Sequence, residues 1–261
     1  GAENRTIYLG LDQFRDELPG SGVAGKNPFK DKRVRQALYQ AIDSAGLHSR
    51  TMRNLSVPAG VMVAPMVHGW SKQLDERAAK YDVEAAKKLL ADAGYPQGFA
   101  LKLDCPNDRY VNDEAICQAV TAMWTRIGVK TTLQAAPMAQ FVTRVMNNDV
   151  SAYLFGWGVA TFDALYSLEA LMATKDGKTS AGNYNGGRFS DATLDGMIGQ
   201  IKVEMDAAKR DALLAQALQR VKDGYYYIPL HHQIRPWAMR KNVETPHRAD
   251  DRPMPTWTTI K

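Results

Sequence analysis

What most constrains this chain is the regular exchange of short β-rich runs for segments with helical periodicity. The pattern predicts strands over Arg5–Leu9, Phe99–Asp104, Val129–Leu133, Val150–Trp157 and Tyr225–His231. Between them, apolar residues recur at the spacing that lines one face of a helix. Lys32–Ile42 carries Val34, Leu38 and Ile42, and Val83–Ala93 carries Ala86, Leu89, Leu90 and Ala93. A longer helix near Asn112–Ile127 would bury Ile116, Val120, Met123, Trp124 and Ile127, and Met138–Met146 is a shorter one. A helix opening after Ser190 or Asp191 places Leu194, Met197, Ile198, Ile201 and Met205 on one face. Another, after Asp206, buries Leu213, Leu214, Ala217, Leu218 and Val221. Asp82 is positioned to cap its helix, and Gly94 and Pro96 to stop it. Strands alternating with helices need crossover connections, so the expected class is α/β.

The 261 residues, 45% of them apolar, are enough for one large domain or two modest ones with a real core. The longest apolar run, Val57–Val67, is eleven residues with two prolines and a glycine. That is well short of the roughly 18 residues of a membrane-spanning helix. The first residues show no basic region followed by an apolar one, so no secretion signal is visible. The net charge of +5 is spread along the chain, with Lys30–Arg35 the densest stretch. It reads as a solvated surface, and no nucleic-acid partner is expected. Cys105 and Cys117 are too few for a disulfide scaffold; they form either one disulfide in an oxidising compartment or two quiet thiols. Beyond Arg235 the periodicity lapses, and Arg240–Lys261 carries three prolines and few aliphatics. This segment is expected to be disordered or to pack on something outside the chain.

Catalytic motifs find little support. Gly20-Ser21-Gly22-Val23-Ala24-Gly25-Lys26 has the glycine spacing of a phosphate loop. A phosphate cradle needs a strand before it and a helix N-terminus behind it. Pro19 precedes the first glycine, Asn27 stands where a magnesium-binding hydroxyl belongs, and no helix signal appears before Asp31. A glycine turn explains the run, leaving a small nucleotide-dependent α/β enzyme as the weaker alternative. His231 and His232 are adjacent in a strand, so their side chains face opposite ways and no metal site is expected. No G-x-S-x-G or local Cys/His signature marks a nucleophile.

Three clusters at the ends of predicted strands suit an amphipathic organic ligand. They are Asn107-Asp108-Arg109-Tyr110, Gly156-Trp157-Gly158 leading to Asp163, and Asn183-Tyr184-Asn185-Gly186-Gly187. In open α/β sheets ligands sit beyond the carboxyl ends of strands, and Trp and Tyr beside amide or guanidinium donors fit such a ligand. The competing explanations are a core tryptophan at a strand end and ordinary turn chemistry.

These segments resemble a known family. Asn27–Leu38 (N-P-F-K-D-K-R-V-R-Q-A-L) and Tyr81–Pro96 (Y-D-V-E-A-A-K-K-L-L-A-D-A-G-Y-P) are similar to signatures of the family 5 extracellular solute-binding proteins. These are the dipeptide, oligopeptide and nickel type of ABC importer receptor. Ile127–Lys130, Gly156–Gly158, Tyr184-Asn185, Leu194-Asp195, the helix near Asp206 and Tyr227–His231 also match in order, over roughly residues 5–245. The resemblance implies a chain about half a full member, forming the C-terminal lobe of a two-lobed, type II periplasmic-binding-protein-like fold. That lobe is a mixed sheet flanked by helices. Residues 1–233 would form it, and 234–261 would pack on the missing N-terminal lobe. A signal peptide would then lie upstream of this segment.

The implied function is non-enzymatic, cofactor-free capture of a small organic or peptide-like solute. The solute would pass to the ABC permease subunits at the periplasmic or extracytoplasmic face of the membrane. A ligand-sensing domain of a transcriptional regulator is the alternative use of such a lobe. The resemblance implies that Trp157 packs its ring against the ligand. Gly158, Asn107, Arg109, Tyr110, Asp163, Tyr184 and Asn185, from the clusters above, are the other expected ligand contacts. Arg109 is a candidate anion contact because its planar fork suits a carboxylate. Peptide-binding relatives place an aspartate for the peptide ammonium three residues after the tryptophan, where this chain has Ala160. Burying an ammonium without its counter-charge is costly, which counts against recognition of an ordinary peptide N-terminus. Asp163 is offset and would substitute only through a different loop path.

Overall fold

The computed structural model describes all 261 residues, Gly1–Lys261. A six-stranded mixed sheet is built from β1 (Ala2–Leu11), β2 (Ser56–Pro58), β3 (Ala100–Pro106), β4 (Lys130–Ala136), β5 (Ala152–Gly158) and β6 (Tyr227–Ile234), in the order β2-β6-β1-β5-β3-β4. β1 runs antiparallel to both β5 and β6, while β3 is parallel to β4 and β5. The start of β1 therefore lies at the same edge as the carboxyl ends of β3, β4, β5 and β6.

The central strands β1, β5 and β6 are buried on both faces, so β5 and much of β1 and β6 read as nearly continuous apolar runs, while the edge strands β2 and β4 stay partly exposed. Alternation sorts them: Ile7, Leu9, Leu11, Leu154 and Ile228 point to one core, and Tyr8, Tyr153, Phe155, Trp157 and Tyr227 to the other. The first core is closed by α1 (Lys32–Gln40), α3 (Val83–Asp92) and α4 (Asp113–Arg126), with the single turn α2 (Ser44–Gly46) in the connection after α1. The second is closed by α5 (Met138–Met146), the short α6 (Ala164–Ser167), α7 (Ala192–Val203) and α8 (Ala207–Asp223). The expected mixed sheet flanked by helices is the observed architecture.

Caps set the helix starts. Asp82, Asp191 and Asp206 each accept a backbone N–H from the first turn of α3, α7 and α8. The Asp206 cap also corrects one expectation. For that carboxylate to reach Lys209 N at 3.0 Å, the chain leaves helical geometry at Glu204 and Met205. Met205 is consequently 93% exposed and does not share the buried face of Leu194, Ile198 and Ile201.

The last segment is ordered against the beginning of the chain. Asn4 N donates to Ala249 O (2.8 Å), and Arg235 N to Gly1 O (2.8 Å). A two-residue ladder pairs β7 (Val243–Glu244) with β8 (Thr259–Ile260). Trp257 and Ile260 remain exposed.

β6 places its two histidines in different settings. His232 bridges Thr6 Oγ1 (3.0 Å) and the Asp75 carboxylate (3.0 Å). His231 is fully buried, its Nε2 has no partner, and burial drives its pKa down to about 3 from 6.5. The native state therefore refuses a proton that the unfolded chain takes up below pH 6.5. Stability is retained above that value and lost as pH falls toward 3. By pH 4 the loss from this one group should reach about 3 kcal/mol, at about 1.4 kcal/mol per pH unit. Urea melts from pH 7 to 4 should show that slope in the parent and a shallower one in His231→Leu. Equal slopes would exclude the effect.

Candidate functional site

The strand ends gather aromatic and cationic side chains around a shallow depression of about 230 Å³ at the carboxyl edge of β3 and β5. Its walls include Arg5, Arg109, Tyr110, Trp157, Tyr166 and Tyr184. Trp157 lies opposite Thr6 in the β1–β5 ladder and points to the second core. Its indole stacks on Tyr166 (centroids 5.2 Å apart, 24° between planes) and meets Tyr184 at 4.9 Å and 54°. Trp157 is 7% exposed, and its indole N–H has no hydrogen-bond partner. A buried donor left unpaired is uncommon.

Gly156 makes the turn of this wall possible. A Cβ there would lie 2.7 Å from both Ile7 Cδ1 and Tyr110 Cε1. Without one, Tyr110 closes on the strand, and the Gly156 carbonyl accepts from Tyr110 Oη (3.3 Å) and Arg5 Nη1 (3.1 Å). Burial raises the Tyr110 phenol, which stays protonated and able to donate.

The loop between β3 and α4 is held from three directions. Asp113 Oδ2 accepts from the backbone N–H groups of Arg109 (3.0 Å) and Tyr110 (2.9 Å). Asn112 takes the left-handed conformation (φ 57°), and its side chain donates to Thr51 O at 3.0 Å. Cys105 and Cys117, both fully buried, form a disulfide across the loop's ends. This decides between the alternatives that composition left open. Arg109 emerges over the Tyr110 ring, 5.3 Å from its centroid, with no carboxylate partner.

Of the residues expected to bind a ligand, Trp157, Gly158, Arg109, Tyr110 and Tyr184 line this depression. Three do not. Asp163 is spent internally: Arg210 grips it with two bonds (2.8 and 3.0 Å), His68 Nδ1 lies 3.1 Å away, and Leu165 N donates to it. Partial burial opposes its charge, yet these partners hold its pKa down to about 2. Asn185 is buried in turn chemistry, donating to Ala173 O (3.1 Å) and Phe189 O (2.9 Å). Asn107 is exposed beyond the rim. Arg5 and Tyr166 belong to the site without having been singled out. The available signal for Arg5 was a cationic residue at the start of the predicted strand Arg5–Leu9, just ahead of its apolar run.

Gly20–Lys26 forms a glycine turn with Gly20, Gly22 and Gly25 at positive φ, held by Ser21 O to Ala100 N and by Glu17 to Gly25 N. The next α-helix, α1, starts beyond Asp31. Only a single 3₁₀ turn, Pro28–Lys30, follows directly, and its N-terminus is already capped by Asn27, so the glycine turn lacks the strand-to-α-helix frame of a phosphate cradle.

The family model for bacterial extracellular solute-binding proteins, family 5 Middle, matches residues 1–179. Over 217 residues the chain is 28% identical to Heme-binding protein A of Haemophilus influenzae, covering 80% of this chain and 38% of that protein. It is also 28% identical over 217 residues to the probable deoxycholate-binding periplasmic protein YgiS of Escherichia coli, with the same coverage. The crystal structure of the dipeptide binding protein from Pseudoalteromonas sp. SM9913 in complex with Met-Leu superposes with a TM-score of 0.83. It is 18% identical, and the match covers 100% of this chain and 49% of that one. That likeness establishes the fold. The chain thus spans about two fifths of the length of the two curated relatives.

Proposed function

This chain belongs to the family 5 bacterial extracellular solute-binding proteins, and from that premise we propose that it forms one wall of a solute-capture cleft serving an ABC importer. In this reading residues 1–233 are one lobe, and 234–261 pack on a second lobe that closes over the ligand. The single observation carrying it is the convergence of Trp157, Tyr110 and Arg109 at the carboxyl edge of the sheet, where α/β folds bind ligands. The exposed Trp257 and Ile260 support a contact of the last segment with another body.

The mechanism is capture without bond making. An aromatic floor removes apolar ligand surface from water, the guanidiniums fix its orientation, and hinge closure traps it between lobes. The permease would then recognise the closed form at the extracytoplasmic face. The Cys105–Cys117 disulfide favours that location over a cytoplasmic sensing domain, because such bonds persist in oxidising compartments.

One wall alone buries only part of a ligand, so the isolated chain should bind weakly, with Kd near the millimolar range, about −4 kcal/mol. Calorimetric titration of the chain, alone and joined to its second lobe, tests this. The two-lobed protein should bind its solute far more tightly, and Trp157→Ala should weaken that binding about thirtyfold, the 2 kcal/mol of an aromatic hot spot. Micromolar or tighter binding to the isolated chain would contradict the cleft. So would a Trp157→Ala protein of unchanged affinity.

A further inference from the structure

We propose that this wall selects solutes carrying a carboxylate or similar anion on a flat apolar body and discriminates against those presenting a free ammonium; the inference rests on the solute-capture reading above. The first support is charge. A second depression of about 160 Å³ adjoins the aromatic one, sharing Arg5 and Gly158 and adding Asn4, Ala160, Phe162, Asp250 and Arg252. The two together contain three guanidinium groups, on Arg5, Arg109 and Arg252, and one carboxylate, on Asp250. Asp250 is already gripped by Arg248 through two bonds, 2.9 and 2.6 Å. Arg5 is offset by Glu3 at 2.8 Å. Arg109 and Arg252 have no carboxylate partner, so the surface presented to a ligand carries uncompensated positive charge.

The second support is hydrogen-bond polarity. The charged groups at the aromatic floor are both donors, the guanidiniums of Arg5 and Arg109, while the Tyr166 and Tyr184 hydroxyls donate or accept and the Trp157 indole N–H is buried without a partner. The carbonyl between them, Gly156 O, already accepts from Tyr110 and Arg5. An ammonium, which only donates, finds no carboxylate on the aromatic floor; Asp250 in the adjoining depression is already held by Arg248, and Ala160 brings no polar side chain to the rim. A carboxylate meets the planar fork of Arg109, half-buried over the Tyr110 ring where water weakens the pair less than at an open surface. The aromatic floor accounts for the flat apolar body.

The probes are three ligands of closely matched shape: 2-naphthaleneacetate, neutral 2-naphthaleneethanol and 2-(2-naphthyl)ethylammonium. Each is titrated into the 261-residue chain at low ionic strength by ligand-observed NMR, with Trp157→Ala and Arg109→Gln proteins alongside. The Arg109 side chain holds no other part of the fold in place, so Arg109→Gln isolates its charge. The carboxylate should bind about tenfold more tightly than the alcohol and more tightly still than the ammonium, the preference fading with added salt. Arg109→Gln should reduce the carboxylate preference to about threefold or less, while Trp157→Ala should weaken all three probes alike. If all three bind through Trp157 with equal strength, or the ammonium binds best, the anion preference is overturned and the solute-capture reading stands. A preference unchanged in Arg109→Gln also overturns it. If no probe shows binding that depends on Trp157, the wall itself is misassigned and both fall.

Discussion

Trp124→Ala should lower the unfolding free energy by about 3–5 kcal/mol, the usual cost of removing a buried aromatic and leaving part of its volume empty. Trp124 is fully buried in the first core, between α4 and α1. Its indole also makes a directional contact. At the end of α1, Ile42 N turns to Tyr39 O rather than to Leu38 O, and the Trp124 N–H donates to the Leu38 carbonyl at 3.0 Å. Truncation therefore opens a cavity and strands one of the carbonyls that a helix end leaves over. Trp124→Phe separates the two effects, keeping most of the volume and losing the bond, for about 1–2 kcal/mol. Urea denaturation reads both, and a shift in midpoint at constant slope is expected. A loss below about 1 kcal/mol in the alanine protein would show that the packing of α4 on α1 does not depend on this contact.

Removing the disulfide should have the next largest effect. Cys105 ends β3, Cys117 lies in α4, and the bond closes a short loop, with twelve positions separating the two. Loop-closure entropy puts its contribution near 3 kcal/mol. The loop carries Arg109 and Tyr110, so the change should be felt at the depression as well as in stability. Both sulfurs are fully buried, which makes the double variant Cys105→Ala, Cys117→Ala a cleaner test than a reductant. It should melt well below the parent and bind solute more weakly. Denatured, unreduced parent protein should titrate no free thiol. Two titratable thiols in that assay, or a double variant as stable as the parent, would remove the disulfide from the account.

The helices were legible because the signals for them are local. Asp82, Asp191 and Asp206 cap the helices that they precede, and Met138–Met146 is both the predicted and the observed span. Strand existence was legible for the same reason, while strand extent was not. β1 extends from Ala2 to Leu11 and β6 to Ile234 because each completes a ladder with a distant partner. The candidate site divides along the same line. Trp157, Tyr110, Arg109 and Tyr184 could be picked out by residue type at strand ends. Asp163 and Asn185 carried the same signal, yet Arg210 and the carbonyls of Ala173 and Phe189 take up their side chains.

By itself, then, the sequence determined the α/β alternation, the capped helices and, through the ordered match of its motifs, the solute-binding family. All of these rest on patterns that a few neighbouring residues carry. Only the tertiary structure decided that Cys105 and Cys117 are bonded, with Cα atoms 6.5 Å apart. It alone set Arg5 across the β1–β5 ladder from Gly158 and spent Asp163 on Arg210, 47 positions away. Those outcomes depend on which strands pair and in what register, and pairing between distant segments leaves no periodic trace in either one.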